Sequence, residues 1–83
     1  MNEPGLRDSL LAIFRDVLAN PTLEIAPDDP ESAIPGFDSG RKVFVVLEVE
    51  ERFGLHLRSR EIDALRRFGD WIATVERHLA ARR

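Results

Sequence analysis

Ser39-Gly40-Arg41-Lys42-Val43-Phe44-Val45-Val46-Leu47-Glu48-Val49-Glu50-Glu51-Arg52-Phe53-Gly54 is the stretch on which the fold turns. Its centre, Val43 to Leu47, is β-branched and aromatic, the composition of a strand. Yet it does not alternate, and the chain offers no second strand candidate of similar quality to pair with it. On a helical wheel Val45, Val46, Val49 and Phe53 share one arc. Gly40, Val43, Phe44 and Leu47 form a second, at i, i+3, i+4 and i+7. Lys42 falls on the first arc, where its long stem lets the ammonium snorkel outward from the helix end. The stretch reads as a helix over 39–53, with Gly54 as its C′ residue.

The segments on either side are helical too. Leu6, Leu10, Ile13, Phe14, Val17 and Leu18 keep one face of a 3.6-residue period and predict a helix over 6–19. Asn20-Pro21 ends it, because a residue before proline avoids the helical region. Pro21, Pro27, Pro30 and Pro35 then exclude a helix over 20–38. This long loop is expected to be ordered, pinned to the core by Leu23, Ile25, Ile34 and Phe37. After the connector Leu55-His56-Leu57, Ser59 is placed to cap a brief helix holding Ile62 and Leu65. A last helix is predicted over 68–81. Phe68, Ile72, Val75 and Leu79 line its apolar face, and Trp71 borders it, in core or edge packing. The expected fold is all-α: a bundle of three main helices plus one short helix, with a long first loop.

Composition narrows the function. With 83 residues the chain forms one small domain, which buries only ~60–65% of the surface exposed by the unfolded chain. A deep catalytic cleft is not expected. The absence of cysteine excludes a disulfide framework, a thiolate metal site and a cysteine nucleophile. A formal net charge of −3 argues against nucleic acid as a partner. The acids gather early, with Glu24, Asp28, Asp29, Glu31 and Asp38 and no base between 20 and 39. The last third is basic through Arg58, Arg60, Arg66, Arg67, Arg77, Arg82 and Arg83. No apolar run is long enough for a membrane span, and the N-terminus lacks the pattern of a signal peptide, so a cytoplasmic location is expected.

Ser39 is the candidate functional residue. A serine at a helix start ordinarily serves as a cap, accepting a free backbone N–H. Here it follows Asp38 and the long acidic loop through Ile34-Pro35-Gly36-Phe37. Glu50-Glu51-Arg52-Phe53-Gly54 closes its helix, and Phe68-Gly69-Asp70 opens the last one. In this layout nearly the whole chain resembles the acyl carrier protein family of phosphopantetheine-binding carriers. The resemblance implies that a holo-carrier-protein synthase attaches 4′-phosphopantetheine to Ser39, with Asp38 supporting the modification. A phosphate there meets unpaired N–H groups and the positive end of the helix dipole.

The resemblance further implies an acyl- or aminoacyl-loading ligase and a downstream synthase or transferase as partners. They would meet a surface made of Gly40, Arg41, Val43, Phe44, Leu47, Glu48 and Glu51. Residues 1–83 would then be a free-standing, monomeric carrier domain rather than an enzyme. The chain departs from the family pattern at three places. Gly40 replaces the usual Leu or Met, Arg41 and Lys42 stand where acidic or neutral residues are common, and Phe44 stands where a Glu is frequent. The implied partner surface is more apolar and less acidic than that of a fatty-acid carrier.

Two readings of the Val43, Phe44 and Leu47 arc follow from the sequence: packing beneath the long loop, or exposure as a docking patch. Two further functions compete with a modified carrier. One is an unmodified carrier-like adaptor that docks a partner through the second helix. The other is a small DNA-binding domain, motivated by the basic C-terminal third. No nucleophile–base pair or glycine-rich phosphate loop points to an enzyme. His56 and His78 have no clustered carboxylates, and His78, beside Arg77, is expected in solvent. Glu48, Glu50 and Glu51 read as a solvated helix face.

Overall fold

The computed structural model describes residues 5–82. Four helices follow in order: α1 (Leu6–Val17), α2 (Ser39–Phe53), α3 (Ser59–Asp63) and α4 (Phe68–Ala81). A single 3-10 turn, Glu31–Ala33, lies in the first loop. The bundle is the expected one, and α2 and α4 have the expected bounds. Arg83, named above among the basic residues, lies outside the described residues.

Helix α1 stops two residues earlier than the proline argument predicts. Ala19 takes the left-handed conformation with φ of 52°. The Asn20 N–H returns to the Arg15 carbonyl at 3.0 Å, and the Ala19 N–H to Asp16 at 3.3 Å. This is a Schellman closure, in which the left-handed position is usually glycine. Gly54 closes α2 in the same way, with φ of 63° and the Leu55 N–H on the Glu50 carbonyl at 3.1 Å. The Arg82 guanidinium reaches over from the end of α4 to the carbonyls of Phe53 and Gly54.

The core forms where the apolar faces of α1, α2 and α4 meet. Leu10, Ile13 and Phe14 from α1, Val45 and Val49 from α2, and Phe68, Trp71 and Val75 from α4 are fully enclosed. Of core and edge packing for Trp71, the structure takes the core. Phe14 meets both Phe68 and Trp71 edge-on, each at 5.3 Å between ring centroids. Phe37 stacks on Phe14 at 5.7 Å. Offset and edge-to-face contacts of this kind add to the stabilisation from burial alone.

The long loop is ordered for the reason the sequence offered. Leu23, Ile25 and Ile34 are buried, and Phe37 packs against them. Backbone bonds add a second fastening. The Phe68 N–H donates to Asp29, the Gly69 N–H to Pro27 at 2.8 Å, and the Glu31 N–H to Arg66. At Gly69 a β-carbon would stand 3.1 Å from the Pro27 carbonyl oxygen, so glycine permits the close approach. The start of α4 is capped by Asp70, whose carboxylate accepts the N–H groups of Arg66 and Arg67 at 3.0 Å each. Those bonds, Arg67 first, hold its pKa below the ordinary carboxylate value.

Two expectations about polar residues are corrected. Ser59 is the first residue of α3, not its cap. The cap position is Arg58, whose N–H donates to Glu61 Oε1 at 3.0 Å. Lys42 does not snorkel into solvent. Its ammonium donates to Glu31 Oε1 at 3.0 Å and to the Leu65 carbonyl at 3.1 Å. The other Glu31 oxygen accepts the Trp71 indole N–H at 2.8 Å. Glu31 and Lys42 thus tie the loop, the start of α2, the α3–α4 connector and the core tryptophan into one polar knot. None of these groups is left without a partner, which is the condition for placing them there.

Candidate functional site at the start of α2

Asp38, not Ser39, caps α2. Its backbone is extended, and its Oδ1 accepts the Arg41 N–H at 2.8 Å. The Lys42 N–H reaches the Asp38 carbonyl at 2.9 Å. Ser39 is therefore the first residue of the helix, and its side chain is not consumed in capping. It is exposed, as are Asp38, Gly40 and Arg41. The Arg41 guanidinium folds back onto Asp38 Oδ2 at 3.2 Å, which offsets the unfavourable placing of a cation at this end of the dipole. Lys42 is neutralised by Glu31 in the same way.

Ser39 stands between two depressions, and Lys42 lines both. One, about 300 Å³, lies on the loop side and includes Glu31, Ser32 and Phe37. The other, about 390 Å³, runs between α2 and α3, walled by Val43, Val46, Leu47 and Ile62, with Asp63 at its edge. A third and larger groove of about 910 Å³ lies on the α1 side of α2. Gly40 and Arg41 stand at one end of it. Phe44, Leu47, Glu48 and Glu51 run along it, and Asp16, Val17 and Arg52 also line it. Ser39 lines the loop-side and α3-side depressions and is not part of this third groove.

Of the two readings of the apolar arc, exposure is correct. Val43, Phe44 and Leu47 are 56%, 60% and 54% exposed, while Val45, Val46 and Val49 on the opposite arc are buried. Of the sequence-derived surface residues, Gly40, Arg41, Phe44, Leu47, Glu48 and Glu51 line the third groove, whereas Val43 stands on the α3 side and Leu47 borders both. Glu48 and Glu51 lie on the same side as Phe44, within the third groove.

The other carboxylates and histidines have structural duties. Glu50 is not merely solvated. Its Oε2 accepts the Leu57 N–H at 2.8 Å and lies 3.1 Å from His56 Nδ1, fixing the connector after α2. His78 is not in open solvent either. Its Nε2 lies 2.8 Å from Glu61 Oε2, and its side chain is 26% exposed. The Arg58 N–H first, and then His78, hold the Glu61 pKa below the ordinary range. Among the described residues no cluster of His, Asp and Glu has the makings of a metal site. No helix among them is long and apolar enough to cross a membrane.

Sequence reasoning missed Asp16, Val17 and Arg52 as neighbours of the α2 face. Arg52 Nη2 reaches Asp16 Oδ2 at 2.6 Å across the helix pair, while its Nε meets Glu48 at 3.2 Å. The i,i+4 spacing of Glu48 and Arg52 was a visible signal. Nothing local links Arg52 to Asp16. Glu31 and Lys42 were equally hidden as partners, since their elements meet only in the folded chain.

Comparison with solved structures supports the fold. The chain is similar to a putative acyl carrier protein from Mycobacterium tuberculosis, with a TM-score of 0.75 at 19% sequence identity. The match covers 93% of this chain and 97% of that one. It establishes the fold: an all-α bundle of the acyl-carrier type. No family model and no curated protein sequence matches the chain.

Proposed function

We propose that this chain is an acyl or aminoacyl carrier, with Ser39 as the attachment point of a 4′-phosphopantetheine arm. The observation that carries the proposal is the division of labour at the start of α2. Asp38 takes over the capping bond, which leaves an exposed serine hydroxyl at the first helical position of an acyl-carrier-type fold.

The residues present suit such a group. The first-turn N–H groups of a 15-residue helix favour a phosphodiester on Ser39. Arg41 lies within the same turn, and Lys42 borders both depressions at Ser39. When bound, the arm supplies a thiol that holds cargo as a thioester. The chain itself has only to present the serine, hold α2 rigid and offer a docking face. That face comprises Gly40, Arg41, Val43, Phe44, Leu47, Glu48 and Glu51. Its partners would be a holo-carrier-protein synthase, a loading ligase, and a downstream synthase or transferase. Residues 1–83 act in this reading as one cytoplasmic carrier domain without catalysis of its own.

Co-expression with a broad-specificity holo-carrier-protein synthase, followed by intact mass measurement, tests the proposal. A phosphopantetheine adduct on the wild type that is absent from Ser39→Ala is expected. An unmodified wild type, or an adduct that persists in Ser39→Ala, overturns it. The second reading, an unmodified adaptor, is favoured by one observation. Gly40 leaves the helix without the large side chain that follows the serine in the family resemblance.

A further inference from the structure

Gly40 has no conformational reason to be glycine. It lies in the first turn of α2, its φ is not in the left-handed region, and an added β-carbon would meet only Asp38 Oδ1, at an ordinary 3.5 Å. Glycine costs up to about 1 kcal/mol against alanine within a helix, although less near its start. What the missing side chain does is leave one end of the α1-side groove open. Past Gly40 the groove runs to Phe44 and Leu47, which are 60% and 54% exposed.

The charges around that groove are unequal. Asp16, Asp38, Glu48 and Glu51 line it, against Arg41 and Arg52. Both cations are already engaged, Arg41 by Asp38 and Arg52 by Asp16 and Glu48 together. Glu51 has no ion-pair partner among the described residues. The groove therefore offers an apolar floor with uncompensated negative charge beside it. An acidic or purely apolar occupant leaves that charge unanswered.

We infer that the α1-side groove is an anchor site for a partner protein that inserts one large apolar side chain past Gly40, flanked by Lys or Arg facing Glu51. The inference rests on the reading of α2 as a docking helix and specifies which side of α2 is used. The loop-side and α3-side depressions, which Ser39 lines, are left for the attached group. Docking and cargo then use neighbouring grooves of one helix, with Leu47 on the ridge between them.

The test uses the full chain carrying Ser39→Ala, which removes modification without touching the groove. The probe is a 16-residue amphipathic helical peptide with one Phe flanked by Lys on the same face, paired with a twin bearing Glu in place of Lys. Binding is followed by amide chemical shifts. The expected result is perturbation at Val17, Gly40, Phe44, Leu47 and Glu51, with the Glu twin at least about tenfold weaker. Gly40→Leu is expected to weaken binding by about tenfold or more while the melting temperature holds or rises.

Equal binding of the two peptides, or undiminished binding by Gly40→Leu, overturns the inference. Shifts confined to Val43, Val46 and Ile62 overturn it too, but leave α2 as a docking helix. Shifts nowhere on α2 remove both docking readings, while loading of Ser39 is judged separately by mass. Sedimentation showing a dimer that Gly40→Leu abolishes would assign the groove to a second copy of the chain instead.

Discussion

Glu31 and Lys42 meet at 3.0 Å, each with less than a fifth of its side chain exposed, and the second oxygen of Glu31 holds the indole of Trp71. The pair joins the proline-rich loop to the helix that presents Ser39. Because Lys42 also holds the Leu65 carbonyl, the same contact sets the position of the segment that follows α3. The geometry around the serine thus depends on a contact outside it.

Removing one member of this knot leaves the others shielded and underpaired. Glu31→Ala should cost about 2 kcal/mol, below the range for fully buried pairs because some solvent reaches the site. Urea denaturation measures the loss, and the emission of the only tryptophan reports the site directly. The double variant Glu31→Ala/Lys42→Met should lose less than the two single changes together. Additive losses would mean that the two side chains do not act as a pair.

The capping assignment separates Asp38 from Ser39. Asp38→Ala should destabilise the domain by about 1 kcal/mol, the usual worth of a cap. Ser39→Ala should change stability by less than about 0.5 kcal/mol, as for a surface substitution. Thermal melts of the two variants decide it. A larger loss in Ser39→Ala would return the serine to a capping role.

Ala19 holds a conformation that glycine adopts without steric cost. Ala19→Gly should stabilise the chain by about 0.5–1 kcal/mol, the relief at the left-handed position exceeding the added entropy of the unfolded chain. Chemical denaturation is the measurement. Destabilisation would show that α1 does not close through Ala19.

Asp70 and Glu61 both have pKa values lowered in the folded state, mainly by backbone N–H groups. A lowered carboxylate pKa contributes stability above its unfolded value, and the contribution disappears as pH falls through the folded value. Their ordinary values are 3.8 and 4.5. Stability from these groups should be complete above about pH 5 and decline as acid is added below that. Asp70→Asn should flatten the acid limb of a stability–pH curve. An unchanged limb would show that Asp70 does not contribute.

Much of the fold was legible because helix periodicity is a local property. The buried Val45, Val46 and Val49 and the exposed Val43, Phe44 and Leu47 are the two arcs drawn from the α2 sequence alone. Four prolines were enough to identify the loop, and its apolar residues to say that it packs. Structure and sequence expectation differ where the decisive contact is remote or depends on conformation. Trp71 reads as core or edge packing, because a wheel does not show that Phe14 and Phe37 close over it. His78 reads as solvent-exposed from sequence, because its partner Glu61 comes from another helix. The end of α1 falls two residues before the expected one, because a left-handed alanine leaves no mark in composition.

For the site the division is similar. Residue order alone yields a serine after an aspartate at a helix start, and a resemblance that gives it meaning. It does not yield which of the two caps, since Asp and Ser are both good caps and only the placement of the first helical turn chooses between them. Nor does it yield the groove between α1 and α2, whose walls come from positions 16–17 and 38–52. Local pattern decides which residues form helices and which face each helix buries. The pairing of Glu31 with Lys42, the bridge from Arg52 to Asp16 and the opening beside Gly40 arise only when those faces meet, because each joins atoms from separate elements.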